Sequence, residues 1–239
     1  MGRKTGEMEL EKIYEYVKSN ISGWCGGGGA PIPDVIRMML AMKRNVQEGD
    51  HLEIGTLWGS TAIAAALAKD ELGQAGMIYC VDPFEYDRQE PCSRKAGNIT
   101  QARSEAMPEI FMENVKRFGV EHRIVLIQKT SDEAKKELKG KRFMSALLDG
   151  YPYGDQPLKD AKFAMSVCDG WIAQDDVVRY YPGKMKAFLW LASSKDWNFH
   201  SMFNRTALFF KHRYSQNMYS EFVSGPIPFE VMRLPENLA

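Results

Sequence analysis

Carboxylates recur at one kind of position in this 239-residue chain, the end of a short apolar run. Asp82 closes MIYCVD, Asp149 closes FMSALLD, and Asp175 closes GWIAQD with Asp176 directly behind it. A single aspartate at such a point is often a helix cap or a solvated turn. Three of them at strand ends suggest a shared ligand. Glu53 differs, because it lies inside the apolar run of HLEIGTLWGSTA and a buried carboxylate requires a partner. Behind it, Gly55 and Gly59 let the chain turn tightly or let a ligand approach the backbone, while tight packing of strand against helix is the plainer account. Ser60 and Thr61 then open a helix with hydroxyls.

These residues must be positioned by alternating elements. Leu10, Ile13, Tyr14 and Val17 form one apolar face of an N-terminal helix, and Val35, Met38, Met39 and Met42 repeat the pattern in a second, with Asp34 near its start and Lys43 and Arg44 at its end. From residue 51 the chain reads strand, helix, strand, helix. The strands are HLEIG, MIYCVD, RIVLIQ, FMSALLD and GWIAQD, followed by WNFHSMF and RTALFFKH with a very short connection. SDEAKKEL reads as a helix capped by its serine, and Pro182-Gly183 as a break before the helix GKMKAFLWLASSK. Alternation of this kind predicts an α/β fold: a Rossmann-like, doubly wound, seven-stranded and mostly parallel sheet with helices on both faces. The tightly joined final pair makes the last strand antiparallel.

The expected organisation is one domain over residues 1–239, with a helical cap over 1–50, a ligand-binding core over 51–212 and a tail over 213–239. In such sheets the ligand crevice lies at the carboxyl ends of the strands, where strand order reverses. Gly55, Asp82, Asp149 and Asp175 would meet there. A carboxylate at Asp82 can accept both hydroxyls of a ribose, a device shared by nicotinamide and adenosyl cofactors.

E-I-G-T-L-W-G-S-T, then C-V-D, then L-L-D-G resembles the class I S-adenosylmethionine-dependent methyltransferases, nearest their small-molecule O-methyltransferase branch of catechol and macrolide-sugar type. The resemblance covers roughly residues 25–212 and implies the same seven-strand fold. By that resemblance Glu53 neighbours the methionine amino group, and the backbone of Gly55, Thr56, Trp58, Gly59 and Ser60 approaches the methionine and ribose. Asp82 then holds the ribose and Ser131 contacts adenine. Trp58 would flank the cofactor or be a plain surface aromatic. The glycine run before Pro31 covers the methionine end, and the polar loop PFEYDRQEPCSRKAGN is a lid or a plain solvated loop.

The metal-dependent branch holds magnesium on an aspartate and an acid-plus-amide pair, here Asp149 and Asp175-Asp176, with Asp where the family has Asn. Three hard oxygen ligands suit Mg²⁺ or another hard divalent cation, and an acidic substrate loop without metal is the alternative. Side chains alternate along a strand, so Asp175 and Asp176 can face one ion only if the strand ends between them. Asp149 and Tyr151 are the catalytic candidates. The lysine that the branch carries shortly after its first aspartate is replaced by Tyr151-Pro152-Tyr153, leaving Tyr151, Tyr153 and Asp155 as candidate bases or as pocket wall.

Composition excludes other classes. Lys plus Arg and Asp plus Glu number 31 each, so no overall field recruits nucleic acid or a membrane surface. The four cysteines, Cys25, Cys80, Cys92 and Cys168, are scattered, which fits reduced thiols and a cytoplasmic protein. No apolar run reaches membrane-span length. The four histidines lack ligand spacing, and His200 reads as structural. The partner expected is a small-molecule acceptor, with the N-terminal helix and tail as the place for a homodimer interface. Two other readings remain: a non-catalytic cofactor-binding scaffold, and a short-chain nicotinamide oxidoreductase, whose Tyr-x-x-x-Lys pair would be Tyr180 and Lys184. Pro182-Gly183 between them argues against the required helix.

Overall fold

The structure, a computed structural model, describes residues 10–22, 31–85 and 107–211. The glycine run, most of the polar loop and the tail, with Cys25 and Cys92, lie outside the described residues. Two N-terminal helices, α1 (Leu10–Asn20) and α2 (Ile32–Arg44), precede β1 (His51–Ile54), α3 (Ser60–Glu71) and β2 (Ile78–Val81). There follow α4 (Met107–Phe118), β3 (Ile124–Ile127), α5 (Ser131–Glu137), β4 (Phe143–Leu148), α6 (Gln156–Val167), β5 (Cys168–Gln174), α7 (Pro182–Ala192), β6 (Trp197–Phe203) and β7 (Thr206–Lys211).

The strands form one seven-stranded sheet in the order β3-β2-β1-β4-β5-β7-β6. The first five are parallel to their neighbours, and β7 runs antiparallel to both β5 and β6. Strand order therefore reverses between β1 and β4, which places the crevice between those two strand ends.

Period-two alternation divides the core between the two faces. Cys80, Leu147, Trp171 and Ala173 point into a core shared with α1, α2, α3 and α4. Leu52, Ile54, Val81, Leu148 and Ile172 point into the opposite core, closed by α5, α6 and α7. Strands buried on both faces explain the continuous apolar runs in the sequence. The exceptions on β1 are polar: His51 is buried and pairs its Nδ1 with Ser145 Oγ at 2.8 Å, and Glu53 follows it on the same face.

Two local expectations are corrected. The cap of α5 is Thr130, not Ser131: its side chain accepts from the Glu133 N–H, and Glu133 reaches back to the Thr130 N–H. This reciprocal arrangement satisfies two otherwise orphaned donors and leaves the serine inside the first turn. Pro182-Gly183 does not break α7 but opens it, because proline at the first helical position lacks only an N–H that would have no intrahelical partner.

Candidate functional site

Gly55, Asp82, Asp149 and Asp175 each stand one residue beyond the end of a parallel strand, β1, β2, β4 and β5 respectively. The expected convergence of strand tips is present. Each group now has definite surroundings.

Glu53 is fully buried, and the Thr61 hydroxyl donates to its Oε1 at 2.8 Å, while Oε2 has no hydrogen-bond partner. Burial pushes its pKa up to about 8, partly countered by the Thr61 bond and reinforced by the nearby charge of Asp82. A buried carboxyl raised in this way is a ready partner for a cation, which would draw its proton off.

Gly55 and Gly59 both have φ near +86°, a conformation that favours glycine. The space beside them is occupied by the protein itself. A Cβ on Gly55 would lie 2.5 Å from the Asp149 carbonyl oxygen, and one on Gly59 would lie 2.8 Å from the Phe111 ring. The tight turn and close packing therefore account for both glycines. Gly59 caps α3 in the left-handed conformation, and Ser60 and Thr61 form its buried first turn.

Asp82 is turned back onto this loop. The Thr56 and Leu57 N–H groups donate to its Oδ2 at 2.9 Å each, and the Phe84 N–H donates to Oδ1 at 2.7 Å. Burial raises its pKa, with these three bonds pulling the other way. A carboxylate has about four lone-pair sites, so these bonds fix the loop and leave one site for another donor. Trp58 is not a surface aromatic. It is 4% exposed in the core beside α3, and its carbonyl accepts from Asn114 Nδ2 at 3.0 Å.

Ser131 is buried beside α6, where its hydroxyl donates to Asp160 Oδ1 at 2.6 Å. Gln156 Nε2 donates to both residues, at 2.9 Å each. The Ser131 side chain is thus committed to a network between α5 and α6.

Asp149, Asp175 and Asp176 each offer a carboxylate oxygen within 4.8 Å of the others. Strand β5 ends at Gln174, before both acids and not between them, and Asp176 has φ +60°, so strand alternation no longer applies and both can face one point. Thr206 Oγ1 donates to Asp175 Oδ1 at 2.6 Å, while the buried Asp175 Oδ2 accepts no hydrogen bond. Burial and then the charge of Asp175 raise the pKa of Asp149 well above the carboxylate range and also raise that of Asp176. Three clustered carboxylates, one with a buried oxygen that accepts no hydrogen bond, are a hard oxygen donor set of the kind a divalent cation such as magnesium or calcium would take.

Sequence reading missed three charged groups here. Arg205, at the β6–β7 turn, places Nη1 3.1 Å from Asp176 Oδ1 and Nη2 3.5 Å from Asp175 Oδ2. Lys184 is 2% exposed, its Nζ donates to the Leu148 carbonyl at 3.1 Å, and its charge acts on Asp149 and Asp176. Asp34, fully buried on α2, pairs with Arg37 at 3.2 Å, and burial raises its pKa to about 7, with Asp175 adding to the rise. Asp34 was legible as an acid four residues before Met38 on an apolar helical face. Arg205 carried no such signal, because only the hairpin fold brings it to the acids.

A chain of edge-on tyrosines stands at the same end of the sheet: Tyr151 to Tyr153 at 5.5 Å, Tyr153 to Tyr181 at 5.6 Å and Tyr181 to Tyr180 at 5.7 Å between ring centroids. Tyr151 is 52% exposed. Asp155 is exposed and ion-paired to Lys186 at 2.7 Å, which holds its pKa low and removes it from the candidate bases. Tyr180 lies outside α7, so Tyr180 and Lys184 do not share the helix that a short-chain oxidoreductase pair requires.

Comparison with known proteins shows the family and the fold. The profile of a family described as a methyltransferase domain matches residues 52–177, more than half of the chain. Among solved structures, the O-methyltransferase of Bacillus cereus in complex with SAH superposes with a TM-score of 0.58 at 14% identity, over 84% of this chain and 89% of that one. TomG of Streptomyces achromogenes, an O-methyltransferase of tomaymycin synthesis in complex with SAM, gives 0.54 at 15% identity, over 85% and 98%. CalS11, a TDP-rhamnose 3'-O-methyltransferase of calicheamicin biosynthesis, gives 0.51 at 14% identity, over 88% and 96%. At these identities the likeness is one of fold. A search of curated proteins found no match. Among the described residues, no helix is long and apolar enough to cross a membrane.

Proposed function

The chain belongs to the methyltransferase-domain family, and from that premise we propose that it transfers the methyl group of S-adenosylmethionine to a hydroxyl of a small-molecule acceptor, with a divalent cation at Asp149, Asp175 and Asp176. One observation carries the reading: the glycine turn after β1 and the acidic tips of β2, β4 and β5 meet where strand order reverses. Neighbours of the same fold whose descriptions name SAH or SAM support the choice of cofactor.

Glu53 lies beside the place proposed for the methionine ammonium, where its unbonded Oε2 is the available acceptor. The loop from Gly55 to Ser60, held in shape by Asp82, presents its backbone to the methionine and ribose, and the remaining acceptor site of Asp82 takes a ribose hydroxyl. Ser131 borders the adenine through its backbone, since its hydroxyl is engaged by Asp160. Tyr151 and its neighbours form the wall on the acceptor side and limit water there.

The sulfonium methyl is already activated in the cofactor, so the protein's task is to hold the acceptor oxygen in line with it. A hard cation on the three aspartates would lower the acceptor hydroxyl pKa and fix its orientation. Asp149 and Tyr151 are the side chains assigned to meet the acceptor. The absent lysine after Asp149 then matters less, because proton loss is eased at the acceptor itself.

The test combines titration calorimetry and turnover. S-adenosylhomocysteine should bind and NAD should not, and methyl release to polyhydroxylated acceptors should fall on adding chelator and return with Mg²⁺. Absence of S-adenosylhomocysteine binding would refute the assignment. Binding without methyl transfer to any hydroxyl acceptor would favour a cofactor-binding scaffold.

A further inference from the structure

The acidic cluster already faces a cation that the protein supplies. Arg205 lies against Asp175 and Asp176 at 3.5 and 3.1 Å. Its placement is built into the backbone. The Val177 N–H, just after Asp176, donates to the Arg205 carbonyl at 2.9 Å, and the next residue, Thr206, donates its hydroxyl to Asp175 at 2.6 Å. Asn204, at φ +53°, turns the hairpin so that residues 205 and 206 both address the acids. The β6–β7 turn and the loop after β5 are therefore one unit.

Among the described residues, two protein cations act on the three carboxylates, and they differ in exposure. Lys184 is buried and tied to the Leu148 carbonyl, so it is a fixed charge. The Arg205 side chain is 37% exposed, so its head can reach solvent. A divalent ion ligated by Asp175 Oδ2 and Asp176 would stand within a few ångströms of the guanidinium, where like charges repel strongly with little solvent between them. Guanidinium and metal would therefore compete for these carboxylates.

We propose that Arg205 is the resident counter-cation of the Asp149–Asp175–Asp176 cluster and competes with a divalent cation for Asp175 and Asp176, so that loading the metal requires Arg205 to swing outward. This rests on the reading of the three aspartates as a cation site. It assigns Arg205 a positioning role: it offsets the repulsion among the acids when no metal is bound and sets how tightly the cation binds. The reading accounts for three acids where the related pattern has two and an amide, since the extra negative charge is matched by an arginine.

The experiment is Mn²⁺ binding to the full chain, followed by calorimetry and by the paramagnetic resonance signal of free Mn²⁺, with no acceptor present. Arg205→Gln should bind Mn²⁺ about tenfold more tightly than the wild type, the low end of measured couplings between close charges. Arg205→Lys, which keeps a charge on a shorter and less planar head, should fall between the two. Equal or weaker binding in Arg205→Gln, or no Mn²⁺ bound by either protein, overturns the proposal. Should Arg205→Gln fail to fold by circular dichroism, Arg205→Lys decides it, with affinity no higher than wild type counting against. A parallel titration with S-adenosylhomocysteine separates this outcome from the fate of the methyltransferase assignment, which fails only if that ligand does not bind.

Discussion

Gly55 and Asp149 meet backbone to backbone: a β-carbon on residue 55 would stand 2.5 Å from the Asp149 carbonyl oxygen. The turn after β1 and the tip of β4 are thereby wedged together at the point where strand order reverses. Any ligand in the crevice is held by two loops whose spacing glycine sets.

Gly55→Ala should accordingly disturb both stability and binding. The left-handed φ alone costs about 1–2 kcal/mol for a residue with a β-carbon. The clash with rigid backbone adds to that, giving an expected loss of about 3 kcal/mol or more, of the size seen for overpacking plus strain. Gly59→Ala meets a ring that can shift, so its loss should be smaller. Urea midpoints would rank the two, and calorimetry with S-adenosylhomocysteine should show that Gly55→Ala also loses affinity because the turn that approaches the cofactor is itself displaced. Equal stability losses in the two variants would contradict the distinction between backbone and ring.

Glu53 makes stability depend on pH in the direction opposite to an ion-paired acid. Its folded pKa is about 8 against an ordinary value of 4.5, so between those pH values the folded state binds a proton that the unfolded state has released. Stability is therefore full below the lower value and falls as pH rises toward the upper one. Asp34, raised to about 7, acts in the same sense. Glu53→Gln, always neutral, should remove its share, leaving the variant more stable than wild type at pH 8, by at most about 5 kcal/mol from the size of the shift. Melting temperatures at pH 5 and pH 8 would measure it. In the proposed complex the ligand ammonium requires the carboxylate, so S-adenosylhomocysteine should bind more tightly as pH rises from 6 to 8, and that slope should vanish in Glu53→Gln.

The seven-strand fold and its antiparallel final strand were legible because the central parallel strands β1, β2, β4 and β5 are almost wholly buried and therefore read as apolar runs ending in a turn residue. Asp82, Asp149 and Asp175 were legible for the same reason, each lying one step past such a run. What those acids bond to was not. Asp82 spends three acceptor sites on loop N–H groups, and Ser131 turns toward Asp160, through contacts set by loop geometry and helix packing. Arg205 was hidden for a related reason: only the β6–β7 pairing brings a residue thirty positions away in sequence to Asp175. The glycine turn was recognised, but its near neighbour proved to be the chain itself.

Ser131→Ala tests whether that hydroxyl is structural. Removing it deprives the largely buried Asp160 of one of its donors, Gln156 remaining, which should cost about 1–2 kcal/mol in a chemical denaturation experiment. Because the hydroxyl is already engaged, affinity for S-adenosylhomocysteine should change by less than about threefold, under the 1.4 kcal/mol that a factor of ten represents. A tenfold fall in affinity with stability unchanged would instead give the side chain a direct adenine contact.

Asp149→Asn separates the role of the cluster in binding from its effect on folding. Asp149 is buried beside Asp175, and both burial and that neighbour oppose its negative charge. A neutral amide of the same shape removes this conflict, so the variant should fold and be at least as stable as wild type wherever the wild-type carboxyl is ionised. It should nevertheless lose Mn²⁺ affinity, by about tenfold or more for one charged oxygen ligand fewer, and lose chelator-sensitive methyl transfer with it. S-adenosylhomocysteine binding should persist, because the Gly55 to Ser60 loop is held by Asp82 and not by Asp149. Thermal melts, Mn²⁺ titration and the methyl-release assay on one preparation would decide it. A variant that retains full Mn²⁺ affinity would remove Asp149 from the cation site, and one that melts far below wild type at every pH would show the carboxylate to be structural.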